Sequence, residues 1–596
     1  MRELEYPFDA EWILKKKKSI KKELLRDGAE NRIRKNIAIL GGSTTNDIKN
    51  ILELFLLNYG IEPSFYESEY NQYYEDIMFP NPELEEFGPD IIYFHTSTRN
   101  ILTFPAPADR QEDVEAMCET YYRRLEAMWE RAATVYRCPI IQNNFELPFF
   151  RLLGNQDVSN IHGRSNYVNR LNEKIYGYAQ THSNFYIHDI AYEAASYGLE
   201  RWSDPFYWHM YKYAMCVPAI PYTSFGVANI IKAIFGKNKK VLCLDMDNTL
   251  WGGVIGDDGA ENIEIGQETS LGQTYSEFQE YIRLQKQLGV LLAVNSKNEE
   301  ETARAGLRRP DSVLTEDDFV SMKINWNPKD QNLIGMADEL KLLPESFVFV
   351  DDNPAEQEIV RSGLKGTAVP ELTEVEHYIQ VLDRSAFFEV TSLSEDDLKR
   401  TQMYMENAKR EKEQSSFENY EDYLKSLEMS GTIRQFEPMY LSRISQLTNK
   451  SNQFNLTTRR YSQSEIEEIA GDKARITLYG KLKDKFGDNG VVSVVIGRIE
   501  EKELHIELWI MSCRVLKREM ESAMMDELVE KCQAAGIDTI YGYYYPTAKN
   551  GMVKDFYGLQ GFEKISEDET GNTVWSYAIE EHYEKKNRVI NVNEEV

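Results

Sequence analysis

The sequence predicts a multi-domain α/β protein with two parallel sheets, followed by a smaller α+β unit. Three observations favour this fold class. The chain has 596 residues, which is more than a single hydrophobic core accommodates. Up to Pro370, short apolar runs alternate with helical stretches, as in parallel sheets with helical crossovers. Beyond about residue 430, several strand-like runs share one long helix, which is typical of an α+β unit.

The first predicted domain follows a charged helical lead-in over residues 1–35 and extends over residues 36–237. Its helix Gly226–Phe235 marks the approximate end of the domain. The predicted strands are short, apolar and separated by helical patterns, as βαβ units require: Asn36–Leu40, Asp90–His95 and Cys138–Asn143.

The second predicted domain covers residues 238–385 and repeats the same alternation. Its strands are rich in Val and Leu, which suits a sheet buried on both faces: Val241–Asp245, Val290–Asn295 and Phe347–Asp351.

The third predicted domain covers residues 431–580 and follows a polar helical linker over residues 386–430. Its long helix is predicted at Glu519–Ala535. Residues 581–596 are charged and are expected to form a frayed tail. The predicted strands are Ile476–Tyr479, Val491–Ile499, Leu504–Met511, Thr539–Tyr544 and Val574–Tyr577.

Composition excludes several classes of protein. Apolar residues make up 42% of the chain and charged residues 28%, as in soluble globular proteins. The net charge of −30 argues against a general nucleic-acid binder, because phosphate backbones are bound by an excess of Lys and Arg. The sequence has no apolar run long enough for a membrane span. Six scattered cysteines without paired spacing indicate a reducing compartment, so we expect a cytoplasmic protein.

The central motif contains two carboxylates at the end of a predicted buried strand, Asp245 and Asp247. Two acids so close together repel each other unless a cation lies between them, and Mg²⁺ prefers oxygen ligands. An Asp can attack phosphorus, and a second acid can protonate the leaving group and activate water. The alternative is a helix cap or a turn, which describes most Asp-x-Asp pairs taken alone.

Three downstream features favour phosphoryl transfer over that alternative. Ser296 ends the next predicted strand, where its hydroxyl can bind phosphate. Lys329 follows in a polar stretch and can neutralise phosphoryl oxygens. Asp351 and Asp352 end a third apolar strand and can complete a metal site. Sites in open α/β sheets form at the carboxyl ends of the strands, where most of these residues fall.

The set Asp245, Asp247, Thr249, Ser296, Lys329 and Asp351/Asp352 resembles the four motifs of the haloacid dehalogenase superfamily. The extension Leu250–Gly256 (LWGGVIG) is similar to the FkbH-like branch, subfamily IIIC. The segment Thr448–Tyr461 (TNKSNQFNLTTRRY) also resembles a characteristic segment of that branch. The N-terminal domain resembles SGNH hydrolases, and the C-terminal domain resembles acetyltransferases of the GNAT fold.

The resemblance implies a Rossmann-like central core and a function in priming polyketide and related secondary-metabolite pathways. Such proteins take the glyceryl group of 1,3-bisphosphoglycerate, remove phosphate and load glycerate onto the phosphopantetheine thiol of an acyl carrier protein. It implies Asp245 as nucleophile, Asp247 as acid/base, and Ser296, Lys329 and Thr249 as phosphate-binding residues. Asp245, Asp352 and the Asp247 carbonyl would hold Mg²⁺, with Asp351 as the second choice to Asp352. The alternative is a phosphatase of a phosphorylated sugar or small metabolite, without acyl transfer.

The sequence departs from the resemblance at two places. Many glyceryl-loading members have a Cys where this chain has Asn295, and a carboxamide cannot replace a thiolate nucleophile. Glyceryl then passes directly to the carrier, another Cys serves, or the protein only dephosphorylates. The cofactor loop also lacks the expected glycines. Cys513, Arg514, Lys517 and Arg518 are candidates for an acyl or CoA-arm site there, and a scaffold domain that binds the carrier is the alternative.

A second candidate site lies in the N-terminal domain. Ser43 follows Gly41-Gly42 after a strand, where SGNH-type hydrolases keep their nucleophile. Asn144, Asp204 and His209 are candidates for the remaining parts of a hydrolase-like site. Each has a structural alternative: Ser43 as a helix cap, Asn144 in a turn and His209 in an aromatic cluster. The Asp204–His209 spacing is longer than that of the resembled family.

Overall fold

A computed structural model describes residues 1–26, 32–414, 416–451, 453–547 and 549–592. The chain forms two compact units. The first comprises Met1–Phe235 with Ser462–Glu465, and the second comprises Gly236–Tyr461 with Ile466–Val596.

The first unit is built on a five-stranded parallel sheet in the order β2-β1-β3-β4-β5. The three predicted strands correspond to β1, β3 and β4, whereas β2 and β5 come from polar stretches with weak strand patterns. The bounds are β1 Ile33–Gly41, β2 Ile61–Glu67, β3 Ile91–His95, β4 Ile140–Asn143 and β5 Phe185–His188.

Helices cover both faces of this sheet. The lead-in is not a separate element, because Ile13, Ile20 and Leu24 of α1 are buried in the same core as α2 and α10. The bounds are α1 Ala10–Arg26, α2 Asn46–Asn58, α3 Glu75–Met78, α4 Pro82–Phe87, α5 Gln111–Tyr136, α6 Arg164–Thr181, α7 Ile190–Tyr197, α8 Leu199–Trp202, α9 Pro205–Tyr211 and α10 Ile220–Ile234.

The second unit opens with a four-stranded parallel sheet in the order β8-β7-β6-β9. Three of its strands were predicted, and β8 was not. The bounds are β6 Val241–Leu244, β7 Leu291–Ser296, β8 Ser321–Ile324 and β9 Phe347–Val350. The helices of this part are α11 Ile255–Asp258, α12 Ser270–Gln287, α13 Glu300–Leu307, α14 Lys329–Glu339, α15 Pro354–Gly363 and α16 Tyr378–Arg384.

The polar stretch after this sheet forms α17 Glu395–Leu398, α18 Arg400–Gln414 and α19 Tyr420–Ser426. It is packed against its neighbours, because α18 carries a buried arginine. Arg410 is 1% exposed, and its guanidinium donates to both carboxylate oxygens of Asp484 at 2.7 Å. Such a paired, two-pronged contact fixes the helix in orientation as well as in position.

An eight-stranded mixed sheet ends the second unit, in the order β15-β16-β14-β13-β12-β11-β10-β17. Its strands are β10 Met429–Arg434, β11 Arg475–Asp484, β12 Gly487–Glu500, β13 Glu503–Met511, β14 Thr539–Tyr544, β15 Glu563–Glu567, β16 Thr573–Ala578 and β17 Ile590–Val592. Its helices are α20 Leu441–Lys450, α21 Gln463–Gly471, α22 Met520–Ala534 and α23 Phe556–Leu559.

The expectation of a frayed tail is wrong for residues 590–592. They form β17, which pairs in parallel with β10. Upstream of it, the Asp526 carboxylate accepts hydrogen bonds from the Tyr583 hydroxyl and from the backbone N–H groups of Lys586 and Asn587. The charged sequence does not reveal that these residues are ordered, because the carboxylate that holds them, Asp526, is buried and lies about sixty residues earlier in the chain.

The strands β13 and β14 diverge after a short paired stretch, and another segment of the same chain lies between them. The two strands pair only at Glu503–His505 with Thr539–Tyr541. Beyond that point, Phe454 and Leu456 bond to the backbone of Trp509 and Met511, and Tyr545 N–H donates to the Leu456 carbonyl at 2.9 Å. This filling segment belongs to Thr448–Tyr461, of which Asn452 lies outside the described residues.

The predicted fold class, a multi-domain α/β protein with two parallel sheets and a final α+β part, is confirmed. Within the described residues, none of the helices combines the length and the apolarity that a membrane crossing requires.

We predict that Arg410→Met lowers the free energy of unfolding of the second unit by about 3 kcal/mol. This is the lower end of the range for a broken buried ion pair. Asp484 loses its main counter-ion but keeps Arg518, whose guanidinium nitrogen lies 3.4 Å away. A urea titration followed by circular dichroism measures the change. The exposed Lys409→Met on the same helix is the matched control, and equal midpoints for the two variants would contradict the prediction.

Candidate active site

The candidate site lies where three parallel strands of the second unit end. Asp245 directly follows β6, Ser296 is the last residue of β7, and Asp351 directly follows β9. Since β7 and β9 flank β6 in the same direction, their carboxyl ends meet at one edge of the sheet. The topology therefore brings together residues that lie up to a hundred positions apart in the chain.

Lys329, the first residue of α14, connects two of the acids. Its ammonium lies 3.0 Å from an Asp245 oxygen and 2.5 Å from an Asp351 oxygen, and its side chain is 2% exposed. Burial alone would lower the pKa of Lys329, but the attraction of Asp245 and Asp351 outweighs it, so the pKa is raised. Lys329 is therefore a permanent cation in the site.

The three acids around Lys329 exceed its single positive charge. Burial and the nearby Asp245 carboxylate raise the pKa of Asp351 to about 6, against the opposing effect of Lys329. The pKa of Asp352 is also raised, by burial and then by Asp245. Oxygens of Asp245, Asp351 and Asp352 lie within 4.8 Å of one another. A compact set of hard oxygen donors with excess negative charge fits a divalent cation such as Mg²⁺.

Asp351 and Asp352, the two acids after β9, differ in burial and in hydrogen bonding. Asp351 is fully buried, and its carboxylate accepts from Lys329 and from the Asn353 N–H at 2.9 Å. Asp352 is half-buried and has no side-chain partner in the described part of the chain. This difference supports Asp352 as the freer ligand for a cation.

Asp247 is held apart from that cluster by three donors. One carboxylate oxygen accepts from the Trp251 indole N–H at 2.9 Å and from the Ile255 N–H at 3.1 Å. The other accepts from the Asn298 amide at 2.9 Å. Three N–H donors fix the carboxylate in one orientation. The extension that resembles the FkbH-like branch therefore has a physical role, because Trp251 and Ile255 orient Asp247.

Two hydroxyls complete the predicted phosphate-binding set. Ser296 is 1% exposed, and its Oγ accepts from the Asn298 amide at 3.4 Å. Thr249 is fully buried, and its Oγ1 has no hydrogen-bond partner among the described residues. A buried hydroxyl without a partner costs free energy, so Thr249 has hydrogen-bonding capacity to spare.

Asn295, which stands at the position of the family thiol, has a structural task. Its amide donates to the Lys329 carbonyl at 2.9 Å, and its oxygen accepts from the Asn332 amide at 3.0 Å. The side chain is fully buried. Asn295 therefore holds the first turn of α14, and with it Lys329, against β7. The sequence showed a missing nucleophile at this position but not this contact.

The other thiols are placed as follows. Cys243 is fully buried in β6, and burial raises its pKa far above the usual range, so it is inert. Cys513 is half-buried after β13, in a short turn with Arg514. No thiol lies in the described set of acids, lysine and hydroxyls at the central sheet edge.

The predicted arm-binding residues are largely engaged within the second unit. Arg518 donates to Asn407 at 2.9 Å and lies beside Asp484, and burial followed by repulsion from Arg410 lowers its pKa to about 10. The backbone carbonyl of Lys517 accepts a hydrogen bond from the Tyr420 hydroxyl, and the backbone N–H of Lys517 donates to the Glu521 carboxylate. The Arg514 guanidinium donates to Ser512 at 3.2 Å. A role of these residues and Cys513 in acyl binding stays a prediction.

The candidates in the first unit are spread over separate contacts. Ser43 is 2% exposed at the end of β1, and its hydroxyl has no hydrogen-bond partner among the described residues. Asn144 donates to Tyr176 and Asp189. Asp204 caps α9, and His209 is exposed on that helix. No hydrogen bond in the described part joins Ser43 to His209, so hydrolysis in this unit stays a prediction.

Sequence reasoning missed a buried polar chain beside Ser43. The Tyr93 hydroxyl lies 2.8 Å from His95 Nδ1, which lies 3.1 Å from the Asn143 amide. Asn143 also bonds to His188, which bonds to Glu193 at 2.9 Å. Burial lowers the pKa of His95 to about 3, so its ring is neutral. The missed signal is the polar residue that ends each of β3, β4 and β5.

Residues 36–232 match the family model described as FkbH, N-terminal domain. The matched segment is about a third of the chain and is similar to the FkbH-like family. A crystal structure of the N-terminal part of the protein BF1531 from Bacteroides fragilis, containing a phosphatase domain complexed with Mg, is 29% identical to this chain. The match covers 64% of this chain and 99% of that one, with a TM-score of 0.58. These two matches confirm the predicted resemblance for the parts of the chain that they cover.

Two acetyltransferase structures match shorter parts of this chain. The ribosomal-protein-S18-alanine N-acetyltransferase from Escherichia coli is 12% identical over 26% of this chain and 99% of its own, with a TM-score of 0.21. Ard1 from Thermoplasma volcanium is 19% identical over the same shares, also with a TM-score of 0.21. No curated protein matches the chain.

We predict that Mg²⁺ raises the melting temperature of the protein and that Asp352→Asn removes most of this rise. A ligand at a hundred times its dissociation constant stabilises the folded state by about 2.7 kcal/mol. Replacing one carboxylate weakens the cation's hold, because the acids supply its charge. Differential scanning fluorimetry with and without Mg²⁺ measures the shift.

The control for this experiment is Asp257→Asn, which removes an exposed acid outside the cluster. The control should keep the full Mg²⁺ shift. If Asp352→Asn kept it as well, Asp352 would not be a ligand.

Proposed function

We propose that this protein is a magnesium-dependent phosphatase of a small phosphorylated metabolite. One observation carries the proposal: Lys329 holds Asp245 beside Asp351 at the sheet edge, next to the hydroxyl-bearing Ser296. A nucleophilic carboxylate, a buried cation and a hydroxyl at the end of one sheet are what an incoming phosphate ester requires. The similarity to a phosphatase domain complexed with Mg supports the same assignment.

In the first step, an Asp245 carboxylate oxygen attacks the phosphorus atom. A P–O bond to the substrate breaks, and the departing oxygen takes a proton from Asp247. The products are an aspartyl-phosphate at Asp245 and the free alcohol. Lys329 faces the phosphoryl oxygens, and Ser296 and Thr249 are placed to donate to them.

In the second step, Asp247 takes a proton from a water molecule, whose oxygen attacks the phosphorus atom of the aspartyl-phosphate. The P–O bond to Asp245 breaks, which releases inorganic phosphate, restores the Asp245 carboxylate and leaves Asp247 protonated for the next cycle. The donors Trp251, Ile255 and Asn298 hold Asp247 in place through both steps.

Asp245 and Asp352 would hold Mg²⁺ together with the carbonyl of Asp247, and Asp351 is the reserve ligand. When bound, Mg²⁺ neutralises negative charge on the phosphoryl oxygens and orients the substrate. The surplus of carboxylates around Lys329 is the observation of this structure that fits the ion.

A second, finer candidate function is the loading of glyceryl from 1,3-bisphosphoglycerate onto an acyl carrier protein. The match of residues 36–232 to the FkbH N-terminal domain model supports it. Because Asn295 is tied to Lys329 and Asn332, no enzyme thiol is available at the central site. The phosphopantetheine thiolate of the carrier would then attack the acyl carbon directly. Its C–S bond forms as the C–O bond to the 1-phosphate breaks, with that phosphate as the leaving group. The 3-phosphate ester would be hydrolysed separately, through Asp245 and Asp247 as in the two steps above.

We predict that Asp245→Asn abolishes phosphate release, because an amide cannot form the phosphoenzyme. Asp247→Asn should lower the rate about 10²–10⁴-fold, the usual range for a lost acid/base group. A malachite-green assay with p-nitrophenyl phosphate and with 1,3-bisphosphoglycerate measures both, with and without EDTA. Asp257→Asn is the matched control and should keep full activity. Phosphate release by Asp245→Asn at the wild-type rate would rule out the proposal.

The two candidate functions separate in a carrier-loading experiment. The protein is incubated with Mg²⁺, 1,3-bisphosphoglycerate and a phosphopantetheinylated carrier protein, and the carrier mass is then measured. A glyceryl adduct on the carrier supports acyl transfer. Free phosphate with an unmodified carrier supports the phosphatase alone.

A further inference from the structure

A second charged region of the second unit lies at the opposite end of β6. We name it the basic cluster: Lys237, Lys240, Arg460 and Lys549, which lie near the carboxylate of Glu345. Lys240 directly precedes β6, whereas Asp245 directly follows it. Lys240 and Asp245 are five residues apart along an extended strand, which separates them by about 16 Å. The basic cluster is therefore distinct from the acids at the candidate active site.

Within the basic cluster, Lys549 has an acidic partner, whereas Lys237 and Lys240 have none among the described residues. Lys549 forms an ion pair with the Glu345 carboxylate. The carbonyl of Glu345 accepts from Lys239 at 2.8 Å, so this backbone segment is also held by a lysine. The ammonium groups of Lys237 and Lys240 have no hydrogen bond and no ion pair within the described residues. Glu345 carries one negative charge, which cannot balance Lys237, Lys240 and Lys549 together.

Burial and nearby cations disfavour the charged forms of Lys237 and Lys240. Both side chains are half-buried. Burial, followed by repulsion from Arg460 and Lys549, lowers the pKa of Lys237 to about 8. Burial also lowers the pKa of Lys240, to which Arg400 and Lys549 add repulsion. Withdrawing an ammonium group from water without an ionic partner costs free energy.

We propose that the basic cluster binds a phosphate-bearing anion, with Lys237, Lys240 and Lys549 as its charged contacts. An ammonium group offers up to three N–H donors, and a tetrahedral phosphate dianion accepts from several donors at once. A carboxylate would balance only one of the unpaired charges. Nucleic acid is an unsuitable source, because the surrounding chain is strongly acidic.

Two sources can supply this chemistry, namely free inorganic phosphate and a phosphopantetheine ester. Cys513 is close enough to Lys240 for its charge to act on the lysine, and its thiol contacts Tyr404. The cluster thus lies beside a half-buried thiol. The proposal concerns binding and does not rest on the phosphatase reaction.

The test compares the full-length protein with the double variant Lys237→Gln/Lys240→Gln in EDTA. Inorganic phosphate should raise the melting temperature of the wild type above that in chloride of equal ionic strength. The double variant should show less than a third of this shift. Because phosphate can also bind at the candidate active site, the difference between the two proteins is the informative quantity. Without added anion, the variant should melt no lower than the wild type, since repulsion is relieved.

The matched control is Lys365→Gln/Lys409→Gln, which removes two exposed lysines elsewhere in the same unit. It should keep the wild-type response. Both double variants should hydrolyse p-nitrophenyl phosphate at the rate of the wild type, which shows that they are folded and separates this proposal from the phosphatase. Equal phosphate shifts in the wild type and in Lys237→Gln/Lys240→Gln would overturn it.

Isothermal titration distinguishes the two sources. The wild type is titrated with inorganic phosphate, with 4′-phosphopantetheine and with pantetheine, which lacks the phosphate. Binding of the ester at least tenfold tighter than phosphate, with none for pantetheine, supports a phosphopantetheine source. Equal binding of ester and phosphate supports free phosphate. Tighter binding of pantetheine than of phosphate would overturn the anion site.

Discussion

The site depends on one buried cation between two carboxylates. Lys329 has almost no contact with solvent, and it holds Asp245 and Asp351, from two neighbouring strands, at one sheet edge. Without it, two buried acids would repel each other across the ends of β6 and β9. The other contacts serve the same geometry: Asn295 fixes the backbone of Lys329, and the Asn353 N–H holds Asp351 from the other side.

The second group that determines the chemistry is positioned in a different way. Asp247 is oriented by N–H donors and not by a cation, and these donors come from the loop after β6 and from the end of β7. Two acids that are two residues apart in the chain therefore have unlike surroundings. Asp245 lies next to the charged groups of Lys329, Asp351 and Asp352, where it can attack phosphorus. Asp247 lies next to uncharged N–H donors, where it can exchange a proton.

Much of this could be predicted from sequence. Apolar runs located β6, β7 and β9, and the parallel topology then required Asp245, Ser296 and Asp351 to meet. The strand β8 was missed because SMKI is half polar, and β2 was missed because IEPSFYE contains Pro63 and few buried residues. Side-chain directions could not be inferred either. For that reason the contacts of Asn295, the polar chain through His95 and the anchoring of residues 583–592 by Asp526 appear only in the structure.

The segment that fills the gap between β13 and β14 affects where the final domain begins. Phe454 and Leu456 supply backbone partners to Trp509, Met511 and Tyr545, which would otherwise be unsatisfied inside the sheet. A fragment that starts at α21 would contain every strand of the mixed sheet except β10, yet it would present two open strand edges to other molecules. Such edges promote aggregation. The smallest self-sufficient C-terminal piece therefore includes residues 454–456, about fifty residues before the strand β13 to which they bond.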